Sequence, residues 1–198
     1  MSEFTLERFK RDTADHKLTV KMDNGVYRHL VVSSPKLGGV MAYQIVTSPF
    51  MLFYYGDMGT YVFSRLEDMF QFFRREDGGI NEGYWYEKME AEDRHSPCKC
   101  VSEKKLKEAL KQYAEDHDFP EEITKELMEW SNSVEMSGSV DTICSAVETM
   151  ASDFCNHTIE GFWEYDIQDY SFHYLWCLHA IVKAINMYDE LGSPVRPL

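Results

Sequence analysis

Residues 40–63 read Val40-Met41-Ala42-Tyr43-Gln44-Ile45-Val46-Thr47-Ser48-Pro49-Phe50-Met51-Leu52-Phe53-Tyr54-Tyr55-Gly56-Asp57-Met58-Gly59-Thr60-Tyr61-Val62-Phe63. Branched and aromatic side chains dominate the stretch, and these suit a pleated, half-buried backbone. Ser48-Pro49 and Gly56-Asp57-Met58-Gly59 carry turn chemistry and cut it into three pieces. The pattern predicts three strands, over 40–47, 50–55 and 60–63. Upstream, residues 17–21 and 26–32 flank Asp23-Asn24-Gly25, and Asn-Gly suits a two-residue hairpin turn. Downstream the period changes. Ser64-Arg65-Leu66-Glu67 has the form of a capping box, and Leu66, Met69, Phe70 and Phe73 follow at helical spacing until Gly78-Gly79. Residues 1–79 are therefore expected to form an antiparallel sheet of four to five strands with one packed helix, the β part of an α+β protein.

From Asn81 onward strand signals nearly vanish. Tyr84-Trp85-Tyr86 heads a short helical segment to about Ala91, and residues 94–100 read as a loop. Ser102 caps a helix carrying Leu106, Leu110 and Tyr113. Pro120 opens another, whose acidic start at Glu121 and Glu122 complements the helix dipole and whose inner face carries Ile123, Leu127 and Trp130. Ser139 caps a third helix, over 140–154. The last helix, about Tyr170 to Leu191, is apolar nearly all round, as at the centre of a bundle, and Gly192-Ser193-Pro194 ends it. Residues 80–198 are thus expected to form an acidic helical lobe around a buried last helix, packed tightly on the first lobe.

The charge is segregated. Between Glu115 and Tyr170 there are fifteen Asp or Glu and one base, Lys125, whereas the rest of the chain holds nineteen acids and nineteen bases. The whole formal charge of −14 thus sits in one segment, whose field attracts basic partners and repels nucleic-acid phosphates. No apolar run reaches the roughly 20 residues of a membrane span. The N-terminus lacks the apolar core of a signal peptide. Cys98, Cys100, Cys144, Cys155 and Cys177 form an odd, irregular set suited to thiols in a reducing cytosol.

Several groupings invite chemistry. Asp57 stands at the tip of a tight turn, where it can place a carboxylate or simply bond backbone. His95, Cys98 and Cys100 fall within six residues, but a zinc site needs four ligands, with Cys155 or His157 brought from afar. His173 and Cys177 lie one helical turn apart, as do Asp153 and His157; with His179 they can build an acid–base or metal site inside a bundle. The plainer reading ties the histidines to acceptors such as Asp166 or Asp169. Glu164, Asp166 and Asp169 show no spacing that favours catalytic carboxylates over a solvated loop. Trp85, Trp130 and Trp163 are core residues or interface anchors. No phosphate-binding glycine loop, nucleophile elbow or zinc-protease helix is present. No catalytic residue, metal or cofactor is assigned.

Residues 56–65 (Gly56-Asp57-Met58-Gly59-Thr60-Tyr61-Val62-Phe63-Ser64-Arg65), then Asp68-Met69-Phe70-Gln71-Phe72-Phe73-Arg74, the opening Phe9-Lys10-Arg11-Asp12-Thr13 and the 172–182 helix resemble a family of small proteins encoded by tailed phages, prophages and plasmids. The resemblance implies an accessory role in host takeover or counter-defence, in the host cytoplasm. Taken with the charge, it leads to the expectation of an inhibitor or modulator of a host nucleic-acid-handling or defence system, such as a CRISPR effector. The partner would be a basic protein or nucleoprotein complex, with no direct nucleic-acid or membrane binding. Asp116, Asp118, Glu121, Glu122, Glu126 and Glu129 are the expected contacts, with Trp130 as anchor. The alternatives are an enzyme acting on a small molecule or nucleotide through His173, Cys177 or Asp57, and a homo-oligomeric assembly protein.

Overall fold

A computed structural model describes residues 4–75, 77–134, 138–155 and 158–192. The strands stand where period-two patterning and turn residues place them: β1 (Lys17–Asn24), β2 (Tyr27–Ser34), β3 (Gly38–Ser48), β4 (Met51–Gly56) and β5 (Gly59–Ser64). They form an antiparallel meander, and a short β6 (Met89–Ala91) joins β5, so the sheet has six strands in the order β1-β2-β3-β4-β5-β6. In the first hairpin Asn24 pairs with Tyr27, leaving Gly25-Val26 as the loop, one residue later than the Asn-Gly signal suggests. Gly25 takes φ 62°, a left-handed conformation that costs glycine nothing. Gly56 is required for another reason: a Cβ there would stand 2.4 Å from the Ala42 carbonyl oxygen on the neighbouring strand.

Residues paired across an antiparallel sheet share a face, so the register sorts the side chains. Leu30, Ile45, Tyr54 and Tyr61 form one inner row and are fully buried. The adjacent outer row, Met22, His29, Val46, Phe53, Val62 and Ala91, crosses all six strands.

The inner face is covered by α1 (Leu6–Asp12), α2 (Met69–Phe73) and, chiefly, α7 (Phe172–Glu190). Length decides which helix does this. Six strands span about 24 Å between the edge strands; the five residues of α2 reach only about 7.5 Å, whereas the nineteen of α7 reach about 28 Å. Trp176 meets Phe9 and Tyr43 edge-on at 5.3 and 5.9 Å, and the Tyr43 hydroxyl donates to the Ala180 carbonyl at 3.0 Å. The last helix is buried, but its apolar surface faces the sheet rather than the middle of a helical bundle.

The chain divides into two compact units, residues 1–98 with 170–198, and residues 99–169. The second unit holds α4 (Glu103–Asp116), α5 (Glu121–Ser131), α6 (Val140–Cys155) and a 3-10 turn at Phe162–Glu164, around a core of its own that includes Leu106, Leu110, Leu127, Val147 and Phe162. Its first and last strands, β7 (Lys99–Val101) and β8 (Gln168–Tyr170), pair as a two-stranded ribbon. No helix among the described residues is long and apolar enough to cross a membrane.

Three local expectations are corrected. Ser64 does not cap a helix. It ends β5, its amide donates to the Lys88 carbonyl, and the helix starts at Met69 behind Asp68, which accepts the Phe70 amide at 3.0 Å. The segment to Ala91 splits into α3 (Glu82–Tyr86) and β6, because β5 offers an edge that residues 89–91 can pair with. The loop read at 94–100 closes on β7. α1 and the β7–β8 ribbon left no clear pattern in seven and three residues. The ending at Ser193-Pro194 lies outside the described residues.

Arg28 carries the one inward charge on β2, and only 4% of its side chain is exposed. It makes a two-pronged pair with Asp68 at 2.8 and 3.1 Å and lies over the Phe70 ring at 4.4 Å. Breaking such a pair from one side strands a buried charge, so Asp68→Asn should cost about 3 kcal/mol, measured by urea unfolding. Replacing both partners, Arg28→Met with Asp68→Leu, should cost less than Asp68→Asn alone.

Candidate partner-binding surface

The second unit contains seventeen Asp or Glu and six Lys, a formal −11, leaving −3 for the first unit. Within the unit the charge is not uniform. α4, capped by Ser102, balances itself through i,i+4 pairs of Lys107 with Glu103, Lys104 with Glu108 and Lys111 with Glu115. The excess begins where α4 ends.

Asp116, the last residue of α4, accepts hydrogen bonds from Tyr165 and Gln112, both at 2.8 Å. These hold its carboxyl below the usual range and push the Tyr165 phenol up to about 12. Asp116 thus fastens the 3-10 segment to α4. Asp118 stands in the α4–α5 turn with φ 52°, a conformation that Asp tolerates better than most residues. His117 stacks on Tyr113 at 4.0 Å, and the Phe119 amide bonds back to the Ala114 carbonyl.

Pro120 sits at the N-cap of α5 and offers no side-chain hydrogen bond, so the acids at Glu121 and Glu122 are what complements the helix dipole there. Leu127 and Ser131 are buried and Ile123 partly so, fixing the inner face. Glu122, Glu126 and Glu129 follow at i, i+4 and i+7 and therefore align on the other side, all exposed. Glu121 lies about 100° round from Glu122. Glu129 pairs with Lys125 at 3.8 Å, but both side chains are more than two-thirds exposed, and such a pair contributes little. Glu122 and Glu126 make no ion pair among the described residues. At the end of the stripe Glu126, Glu129, Trp130 and Met150 line an open depression of about 390 Å³.

Of the seven expected contacts, Glu126, Glu129 and Trp130 meet at this depression and Glu122 continues their line. Glu121 and Asp118 flank the line at the start of α5, and Asp116 is engaged with Tyr165 and Gln112. Sequence reasoning missed Met150, whose place depends on how α6 packs on α5. Trp163 is 64% exposed, whereas Trp85 is a core residue.

The other groupings have structural occupations. The Asp57 carboxylate accepts the Met41 amide at 2.8 Å, holding a residue with φ 56°. Cys177 is buried with its thiol 3.5 Å from the Met58 carbonyl, and burial pushes it far above the ordinary thiol range, the opposite of an activated nucleophile. His173 has Phe172 edge-on at 5.8 Å. His179 is gripped by the rings of Phe4 and Phe9 at 5.1 and 5.5 Å, in place of the carboxylate acceptor expected for it. Asp166 lies 3.9 Å from Lys105 and accepts the Gln168 amide. Cys98 contacts the Met89 sulfur, its amide bonded to Glu92. Among the described residues no group of three His, Cys, Asp or Glu could hold a metal. His157 and the side chains of Asp153 and Cys155 lie outside the described residues.

Two predictions follow from these environments. Glu122, Glu126 and Glu129 repel one another at i,i+4 and i,i+3, and Glu129 also opposes the negative end of the helix dipole. Glu126→Gln should therefore raise stability by about 0.5 kcal/mol, read as a higher urea midpoint. His16 and His179 are both pushed down by burial; Lys183 adds to the effect at His16, while Asp15 there and Glu82 at His179 oppose it. Each therefore takes up its proton at lower pH in the fold than in the unfolded chain. Stability is then full above about pH 6.5 and falls as the pH drops below it. The urea midpoint should be lower at pH 5.5 than at pH 7.5, and His16→Gln should narrow the gap. Compared with known proteins, the chain matches no family model, no curated protein and no solved structure.

Proposed function

We propose that this protein is a phage accessory factor that binds a basic groove of a host nucleic-acid-handling or defence protein through the acidic face of α5, occupying the place of nucleic acid. The observation that carries the reading is the stripe of Glu122, Glu126 and Glu129 leading to the depression beside Trp130. A groove that attracts phosphates also attracts ordered carboxylates, and release of its counterions favours the complex. The depression adds an apolar wall and an aromatic ring to two carboxylates, a setting that suits a guanidinium with its stem. The stripe also has a local cost, since its members repel one another. The family resemblance of residues 56–65 and 172–182 supplies the phage setting.

The test uses the full chain as bait in a bacterial host lysate at low and high salt, followed by titration of the captured protein. Binding should weaken steeply with salt. The triple variant Glu122→Gln, Glu126→Gln, Glu129→Gln should lose at least about tenfold in affinity while being no less stable than the parent. Affinity that is unchanged in the triple variant, or indifferent to salt, rules the mechanism out.

A further inference from the structure

The outer face of the six-stranded sheet has a composition unlike the rest of this acidic molecule. No outward position from β2 to β5 carries Asp, Glu, Lys or Arg. Phe53 and Tyr55 at its centre are 38% and 37% exposed, and Val46 and Val31 beside them are partly exposed. At its centre the polar side chains are paired with one another: Gln44 Oε1 lies 2.7 Å from His29 Nε2 and accepts the Tyr55 hydroxyl at 2.8 Å. A face whose polar atoms are satisfied internally can be dried at little cost.

At the tip of the β3–β4 hairpin Phe50 has φ 68° and is 54% exposed. A left-handed conformation is an outlier for an aromatic residue. Its amide donates to Glu67 and its carbonyl accepts from Arg65, so the backbone is clamped while the ring is displayed. The sheet edges, by contrast, are blunted. β1 carries the exposed Lys17 and Lys21 and an irregularity between Val20 and Met22, and β6 has only three residues.

We propose that the chain forms a two-fold symmetric dimer by packing two of these faces together, centred on Val46, Phe53 and Tyr55. The occupant follows from charge. A two-fold interface places a surface against its own copy, and on a molecule of net −14 the uncharged face lets two copies meet without apposing carboxylates. Face-to-face packing about 10 Å apart is also how two sheets ordinarily bury a common core. The uncharged strands β2 to β5 cover three strand spacings, and these by about 20 Å give a footprint on the order of 300 Å², before side-chain relief is counted. That lies at the low end of specific interfaces, where partners associate weakly and reversibly.

The experiment is analytical ultracentrifugation of the full chain over a dilution series reaching about 100 μM, at low and moderate salt. The expected result is a reversible monomer–dimer equilibrium that tightens as salt screens the net repulsion, a response opposite in sign to that of the acidic stripe. Phe53→Glu should weaken the dimer at least about tenfold. Thr60→Lys, at an exposed outward position beside Tyr55, should do the same and supplies the result if Phe53→Glu fails to fold by circular dichroism. The triple Gln variant of α5 should dimerise like the parent. A parent chain that remains monomeric throughout, or a folded Phe53→Glu or Thr60→Lys chain that still dimerises as the parent does, overturns the proposal.

Discussion

Everything in the first unit depends on covering one side of a six-stranded sheet. That side is paved with Leu30, Ile45, Leu52, Tyr54, Tyr61 and Phe63, none more than 1% exposed. At roughly 25 cal/mol per Å² of apolar surface, leaving such a face in water would outweigh the net stability of a domain this size. A helix long enough to cross the strands is needed, and α7 alone among the helices of that unit has the length. The Arg28–Asp68 pair belongs to the same constraint. It fixes the start of α2 against β2, so the short helix finishes the cover that α7 leaves open.

The strands could be read from the chain because period two, branched residues and turn chemistry agree there. The last helix illustrates where such reading stops. A helix apolar on all sides announces burial but not its neighbour. The sheet claims it because α2, with five residues, is too short to cross the strands. Ser64-x-x-Glu67 has the letters of a capping box, but Ser64 ends β5 and its amide donates a hydrogen bond to the Lys88 carbonyl. On α5 the outcome differs. Glu122, Glu126 and Glu129 align by helical period alone, so that part of the surface was legible. Met150 was not, since it reaches the depression through packing between helices distant in sequence.

The polar residues of the interior illustrate how a histidine or thiol can look reactive in sequence and be inert in place. Burial pushes the Cys177 thiol far above the ordinary thiol range and the His179 imidazole below its own. Asp57, at the tip of a turn, is spent on holding Met41 in a left-handed conformation. On α5 the carboxylates of Glu122, Glu126 and Glu129 align on the exposed side and repel one another.

The β7–β8 ribbon has a consequence for how such a molecule can change. The polypeptide leaves the sheet unit after Cys98 and returns at Tyr170, and because the two strands pair, departure and return lie side by side. The Ser171 amide bonds to the Cys98 carbonyl at 2.8 Å, so the neck is also pinned from the sheet side. Seventy-odd residues thus hang from a stem whose ends a tight turn would join. A chain whose departure and return coincide in this way tolerates replacement of the residues between them without disturbing the strands of the sheet.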